Sequence, residues 1–400
     1  MKKSVTIIGG GASALILGCE LNSKKFDVSI YEKNNALGRK FLVAGDGGLN
    51  LTHNQNAEEF IKQYTPSFFL NKAFSNFNNK DFITWVNNLG IKTFAGTSSR
   101  VFPTKDYKPI DVLNAMLLKL KSNNITLNFK HEWKGFTKDN NLIFENNTQL
   151  IEVKSDYTVF CIGGASWSIT GSKGDWPENF RQKSIKIIPF KASNCAFKIN
   201  WNSDFMKLIA GKVLKNVSIT CNTKTLFGEV VLTKFGIEGS GIYPLSAIIR
   251  AELEQNNEAL IYIDFKPTFS EEKIIEKIRS IINSKNFTEN LKKELNLSSL
   301  HLQLLKHFLS KDEFLNPIIL SKYIKNFKLT ITELAPIDEA ISTVGGICLS
   351  EINENFELKK LKNHFAIGEM LDYDAPTGGY LLQSCFSMGK YVADCLNTIH

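Results

Sequence analysis

The sequence predicts an α/β protein: a Rossmann-like dinucleotide-binding fold interrupted by an inserted domain, β-barrel-like in its first part and helical in its second. Three observations predict it. A strand, a glycine turn, a helix and a second strand ending in an acid occupy the first 32 residues. Apolar strands near residues 160 and 366 run into further glycine turns, so both ends of the chain carry the same kind of element. Between them, short β-like runs give way near residue 270 to a helical period.

Val5-Thr6-Ile7-Ile8 has the length and β-branched content of a buried parallel strand. Gly9-Gly10-Gly11-Ala12-Ser13-Ala14 fits G-x-G-x-x-A. Gly9 allows a tight turn, Gly11 leaves room for a pyrophosphate, and Ala14 permits close helix–strand packing. Ala12 and Ser13 open a helix whose backbone N–H groups point at the phosphates. Asp27 to Glu32 reads as the second strand, and Glu32 stands where a carboxylate accepts ribose hydroxyls. Lys2 and Lys3 before an apolar run that ends Leu17-Gly18-Cys19 also resemble a secretory signal with a lipid-attachment cysteine. Such a signal has no reason to be followed by a second strand and Glu32, so Cys19 is read as a packed helix residue.

Composition narrows the function classes. Hydrophobic content of 43% and charged content of 22% are those of a soluble globular protein, and no segment has the length of a membrane span. The net charge is +8, yet only five of 48 basic residues are arginine, the residue preferred for phosphate and base recognition. Composition drift and a functional basic face both remain open. Seven scattered cysteines without a C-x-x-C pair fit a reducing cytoplasm and exclude paired redox cysteines. His301 and His307 lie six apart, on different helical faces, so no metal is expected.

After Glu32 comes a segment expected to be a loop round a planar ligand. It contains Lys33, Gly38, Arg39, Lys40, Gly45, Asp46, Gly47, Gly48, Asn50, Thr52 and His53. Its glycines allow close approach, and Lys33, Arg39 and Lys40 place positive charge beside a diphosphate. Gly163-Gly164 after an apolar strand is a second close approach of backbone to ligand. A third follows the strand at residues 365–367, with Gly368, Glu369 and Asp372, and Gly378-Gly379-Tyr380 then opens a helix to about residue 396. Its N-terminal N–H groups could stabilise negative charge on a ligand ring.

These blocks resemble the HI0933-like family of NAD(P)/FAD-dependent flavoproteins. The sequence from Gly38 to Thr52 is similar to its G-R-K-x-L-x-[SA]-G-x-G-x-x-N-x-T, and Arg100-Val101-Phe102-Pro103 to its R-V-F-P. Gly163 to Gly174, Ala340 to Gly346, and Gly368 to Gln383 match its later blocks in order. The resemblance covers about residues 1–175 and 330–400. It implies a two-dinucleotide-binding FAD fold in which the residues named above hold FAD. Where many members carry Arg-Cys-Asn, this chain has Gly48-Leu49-Asn50, so Leu49 cannot serve as a proton donor; His53 and Tyr380 are the candidates.

The expected domains are 1–185, the first part of the FAD-binding domain; 186–330, the insertion, β-rich over 186–268 and helical over 270–328; and 331–400, the C-terminal part. The β-like runs are residues 185–188, 195–199, 217–220, 229–232 and 260–263. Ile274, Ile275, Ile278, Ile281 and Ile282 form one apolar helix face. A glycine loop at residues 235–244 either faces the flavin or makes a tight barrel turn.

The resemblance implies an FAD-dependent oxidoreductase that reduces a conjugated C=C bond by hydride transfer, with NADH or NADPH as a transient donor. Uridine reduction in ribosomal RNA and amine oxidation are the alternatives. A small-molecule substrate is expected, with RNA or the ribosome as a possible partner.

Overall fold

In a computed structural model, which describes residues 1–45 and 48–399, the apolar N-terminal run forms the centre of a five-stranded sheet. The order is His364–Ala366, Tyr157–Phe160, Lys3–Ile8, Phe26–Glu32, Thr126–Phe129, and every pairing is parallel. Ile7 lies opposite both Ile30 and Val159, and all three are buried. A strand covered on both faces needs an unbroken apolar run, as Val5 to Ile8 shows.

Two helices close on the helix Ala12–Glu20 through glycines. A Cβ on Gly18 would lie 2.7 Å from Leu120 of the helix Pro109–Ser122. One on Gly389 would lie 2.6 Å from the Ser13 carbonyl, where the C-terminal helix Tyr380–Thr398 crosses the helix Ala12–Glu20. The two ends of the chain are thereby one layer.

Because the strands are parallel, their carboxyl ends share one edge, where ligands bind in open α/β sheets. Gly9 follows Lys3–Ile8, Glu32 ends Phe26–Glu32, Gly163 follows Tyr157–Phe160, and Gly368 follows His364–Ala366. Residues 33–53 differ from the expected loop. Arg39–Ala44 is helical, entered through Gly38 at φ +69, and Thr52–His53 is a strand paired with Arg100–Pro103. The helix forms because Gly38 takes the left-handed entry and its N–H reaches the Gly10 carbonyl at 2.8 Å.

The chain divides into two compact units, Met1–Ala192 with Ile341–His400, and Ser193–Ala340. The second contains a closed barrel in the order Phe197–Ile199, Gly236–Glu238, Lys224–Leu232, Val213–Cys221, Ala259–Asp264, Phe327–Leu334. Helices Glu271–Ile281, Phe287–Glu294, Ser299–Phe308, Lys311–Phe314 and Pro317–Lys325 follow the fifth barrel strand in the chain, with Ile274 and Ile278 buried. Two barrel strands lay outside the β-like runs. Gly236–Glu238 is hidden by glycine, and Phe327–Leu334 sits directly after the helical stretch. The glycines of the 235–244 loop serve the barrel. A Cβ on Gly236 would collide with the Phe197 carbonyl, and one on Gly239, at φ +111, would lie 2.9 Å from the Glu229 carbonyl. No described helix is long and apolar enough to cross a membrane.

Candidate active site

The turn after the first strand offers an open backbone. Gly9 takes φ +94, and a Cβ there would lie 2.5 Å from the Cys161 carbonyl, so this glycine is required by packing between adjacent strand ends. A Cβ on Gly11, by contrast, would meet no atom within 4 Å. Gly11 is also the N-cap of Ala12–Glu20 and supplies no side-chain cap, so the first N–H groups of the helix lack that partner. Glu32 is 8% exposed. Its Oε2 accepts the Gly10 N–H at 2.7 Å, and its Oε1 accepts the Asn34 N–H and Nδ2 at 2.8 and 2.7 Å. A carboxylate has about four acceptor positions, so three such bonds hold it in place and leave one for a hydroxyl. An open glycine, an uncapped helix start and an oriented carboxylate fit the pyrophosphate and ribose of FAD.

Beside this turn a buried ion pair joins four separate motif blocks. Lys40 Nζ lies 2.9 Å from Glu369 Oε2 and 3.2 Å from Oε1, and donates to Ser166 Oγ at 2.9 Å. Glu369 Oε1 also accepts the Thr343 N–H at 3.0 Å and its hydroxyl at 3.3 Å, and that hydroxyl accepts the Ala165 N–H at 3.2 Å. Gly164 has no space for a side chain because Thr343 Oγ1 occupies it. The Glu369 carboxylate is therefore committed to the protein rather than presented to a ligand.

A second cluster forms round the start of the C-terminal helix. Gly379, at φ +91, packs on the backbone of Thr52, where a Cβ would lie 2.6 Å from the Thr52 Cα. Thr52 is fully buried and donates its hydroxyl to Gln383 Oε1 at 2.7 Å. The next residue, His53, stacks on Tyr380 with ring centroids 5.5 Å apart and planes at 20°. Tyr380 donates its hydroxyl to Gln55 Oε1 at 2.9 Å. Asn79 Nδ2 donates to the carbonyls of His53 and Gln55 at 2.8 and 2.9 Å and so holds that segment. Arg100 is the register partner of His53, and its Nε lies 3.8 Å from the position of a Cβ on Gly378.

Several buried polar atoms of this cluster have no hydrogen-bond partner: Asn50 Oδ1, His53 Nδ1, Gln55 Nε2 and Thr377 Oγ1. Leaving such atoms unpaired costs about 1–3 kcal/mol each, so a site that takes a polar ligand is their natural explanation. Burial pushes the His53 imidazole below its usual value, with the Arg100 charge adding to it and a backbone hydrogen bond to Ser98 opposing. Burial also pushes the Tyr380 phenol up to about 12, against the opposing effects of Arg100 and Gln55. Near neutral pH the site therefore presents an uncharged imidazole beside a protonated phenol.

Of the residues singled out from sequence, Gly9, Gly11, Ala12, Ser13, Ala14 and Glu32 lie together at the turn, and His53 and Tyr380 lie together at the second cluster. Arg39 turns to Asn34 Oδ1 and the Ile169 carbonyl, at 2.6 and 2.9 Å, and Lys33 lies 3.9 Å from Asp175. Gly38 and Gly45 pack on Leu113 and Pro109 of the helix Pro109–Ser122. The Asp372 N–H donates to the Ile347 carbonyl. Asp46 and Gly47 lie outside the described residues. Leu49 is buried. Residues not singled out for the site, Arg100, Gln55, Thr343 and Thr377, complete it. Arg100 and Thr343 stand inside the motif blocks without a role read from sequence, and Gln55 follows the short strand Thr52–His53 by two residues.

The model of the HI0933-like protein Rossmann domain matches residues 3–395. The chain belongs to the HI0933-like family. It is thus an FAD-dependent oxidoreductase, and the fit at Gly11 and Glu32 agrees with that cofactor. Similar proteins include a ribosomal RNA dihydrouridine synthase of Haemophilus influenzae, 22% identical over 389 residues and 95% of each chain. A 3-dehydro-bile acid delta(4,6)-reductase of Clostridium scindens is 22% identical over 408 residues, spanning 96% of this chain and 97% of the relative. Among solved structures, a 3-ketosteroid-delta4-(5alpha)-dehydrogenase of Rhodococcus jostii has a TM-score of 0.51 at 11% identity, over 98% of this chain and 96% of that one. A 3-ketosteroid delta1-dehydrogenase of Sterolibacterium denitrificans has a TM-score of 0.52 at 10% identity, over 100% of each. These last two likenesses are of fold.

Proposed function

We propose that this member of the HI0933-like family reduces a C=C bond conjugated to a carbonyl in a small molecule, with NADH or NADPH as a transient electron donor. The observation that carries the reading is the pairing of His53 with Tyr380 among buried polar atoms that lack partners, at the start of the helix Tyr380–Thr398. The relatives named above are named for forming dihydrouridine in ribosomal RNA and for reducing a 3-dehydro-bile acid, and the second supports a small-molecule substrate.

Gly11, with the N-terminus of Ala12–Glu20, would hold the pyrophosphate of FAD, and Glu32 the ribose. When bound, FAD supplies the hydride that the protein's own side chains cannot. Reduction of a conjugated C=C bond also needs a proton on the neighbouring carbon. Tyr380 carries one on Oη, which donates to Gln55 Oε1 and would turn from it to the substrate, in a phenol that stays protonated through the neutral range. His53 stacks against that ring. Its Nδ1, unpartnered in the protein, would bond substrate. Lys40 and Glu369 position the segments round the turn without touching substrate.

Lysines across both units pair locally with acids, as in Lys2–Asp27, Lys134–Glu132, Lys198–Glu333 and Lys325–Asp264. That dispersal supports a small molecule over an RNA partner. The test is the visible spectrum of the purified protein after FAD addition, then under anaerobic titration with NADH and with NADPH. Flavin bands bleached by one nucleotide, and restored by a conjugated enone, are expected. A protein that takes up no FAD would sink the reading, and flavin bands that neither nucleotide bleaches would move it towards an oxidase.

A further inference from the structure

Arg100 is half-buried, and its guanidinium makes no hydrogen bond or ion pair among the described residues. The other cations near the sheet edge are engaged: Arg39 with Asn34 and Ile169, Lys40 with Glu369, Lys33 with Asp175. Arg100 is also held in place. Its strand, Arg100–Pro103, is the middle one of three, between Thr52–His53 and Thr93–Ala95, so its backbone is paired on both edges. A half-buried guanidinium on a fixed strand, with five N–H donors, no acceptor and no partner, is an unfinished anion site. Its charge acts on His53 and Tyr380, its Nε lies 3.8 Å from the position of a Cβ on Gly378, the neighbour of Thr377, and Gln55 accepts the Tyr380 hydroxyl. Of these, His53, Gln55 and Thr377 carry unpartnered atoms described above.

We propose that Arg100 binds a carboxylate of the substrate, so that the enzyme acts on a conjugated carbonyl compound that also carries, or is, a carboxylic acid. The planar fork of arginine matches a carboxylate in two parallel hydrogen bonds, whereas a lysine would offer only a point charge. A nucleic-acid backbone is tracked by several cations in series, and a single guanidinium among uncharged amides and hydroxyls does not supply that. Gln55 and Thr377 provide hydrogen-bonding groups beside the same subsite. The assignment rests on the reading of this cluster as the substrate site.

The probe is trans-cinnamate, a planar conjugated carboxylate, with cinnamamide as its uncharged counterpart. Each is titrated into the FAD-loaded enzyme and followed through the flavin difference spectrum, after FAD content has been measured. In the unaltered enzyme, cinnamate should bind at least about ten-fold more tightly than cinnamamide. In Arg100→Gln that preference should vanish with FAD content unchanged, and Arg100→Lys should keep part of it. Equal affinity of cinnamate for the unaltered enzyme and Arg100→Gln overturns the assignment, as does an FAD-loaded enzyme that does not respond to cinnamate. Loss of FAD by Arg100→Gln, with normal cinnamate affinity in the fraction still loaded, overturns it too, by giving the arginine to the cofactor. Failure to take up FAD at all would instead overturn the functional reading, and the two failures are told apart by the FAD measurement.

Discussion

Lys40 and Glu369 are 329 residues apart in sequence and form the buried ion pair that ties the helix Arg39–Ala44 to the end of the strand His364–Ala366. Removing one partner of such a pair costs about 3–5 kcal/mol, because the other charge stays buried without its counter-charge. Lys40→Met leaves Glu369, 8% exposed, with only the Thr343 N–H and hydroxyl. Lys40 is itself 27% exposed, so water already reaches part of the pair. The lower end of the range, about 3 kcal/mol, is therefore expected. Glu369→Gln keeps the volume and frees an ammonium that water can reach, at about 1–2 kcal/mol. The double variant carries neither charge and should cost about 2 kcal/mol, well under the sum of the single changes, for a coupling of about 2 kcal/mol. Thermal unfolding followed by circular dichroism reads this. With about 2–4 °C per kcal/mol for a unit of this size, Lys40→Met should lower Tm by about 6–12 °C, and the double variant should recover part of it. Effects of the two single changes that add to within about 0.5 kcal/mol would refute the ion pair as the joint between these segments.

Two further outcomes concern single groups. Tyr380→Phe should keep its FAD but slow substrate reduction by about 10²–10⁴-fold in single-turnover reoxidation of reduced enzyme; an unchanged rate would remove the phenol from the reaction. In the unaltered enzyme that rate should be level from pH 7 to 9, because Tyr380 titrates only near 12, and should fall only below the depressed pKa of His53, under 6.5. His301, 4% exposed in the barrel unit, is pushed down to about 4 by burial and by the nearby Lys266 charge. The unfolded chain binds this proton near 6.5 and the folded chain only near 4, so the contribution is complete above pH 6.5 and is lost as pH falls to 4. About 3 kcal/mol is at stake at 1.36 kcal/mol per pH unit. Tm against pH for the unaltered protein and His301→Gln should converge towards pH 4, and curves that stay parallel would exclude His301 as the cause.

What the sequence by itself determined is local. Val5 to Ile8 is an unbroken apolar run and therefore a strand buried on both faces; the spacing of Gly9, Gly11 and Ala14 dictates the turn and the close helix behind it. Ile274 and Ile278 recur at the helical period, and five β-like runs of the insertion overlap strands, four of them in the barrel. Each of these follows from residues a few positions apart, through sterics and solvent exclusion alone. Where local chemistry was ambiguous the reading failed, as at Gly236–Glu238, whose glycine signals a turn although its pairing makes a strand. The tertiary structure decided the rest, because the partners are remote. Glu369 looked like a ligand contact until Lys40 and Thr343 were beside it. Thr52 meets Gln383, and Tyr380 meets Gln55, across more than 300 residues. Arg100 gained its place only by pairing in register with His53. Which charge is neutralised and which stays open depends on the strands and helices that become neighbours. That is settled by closing the two ends of the chain on one sheet, and no local pattern encodes it.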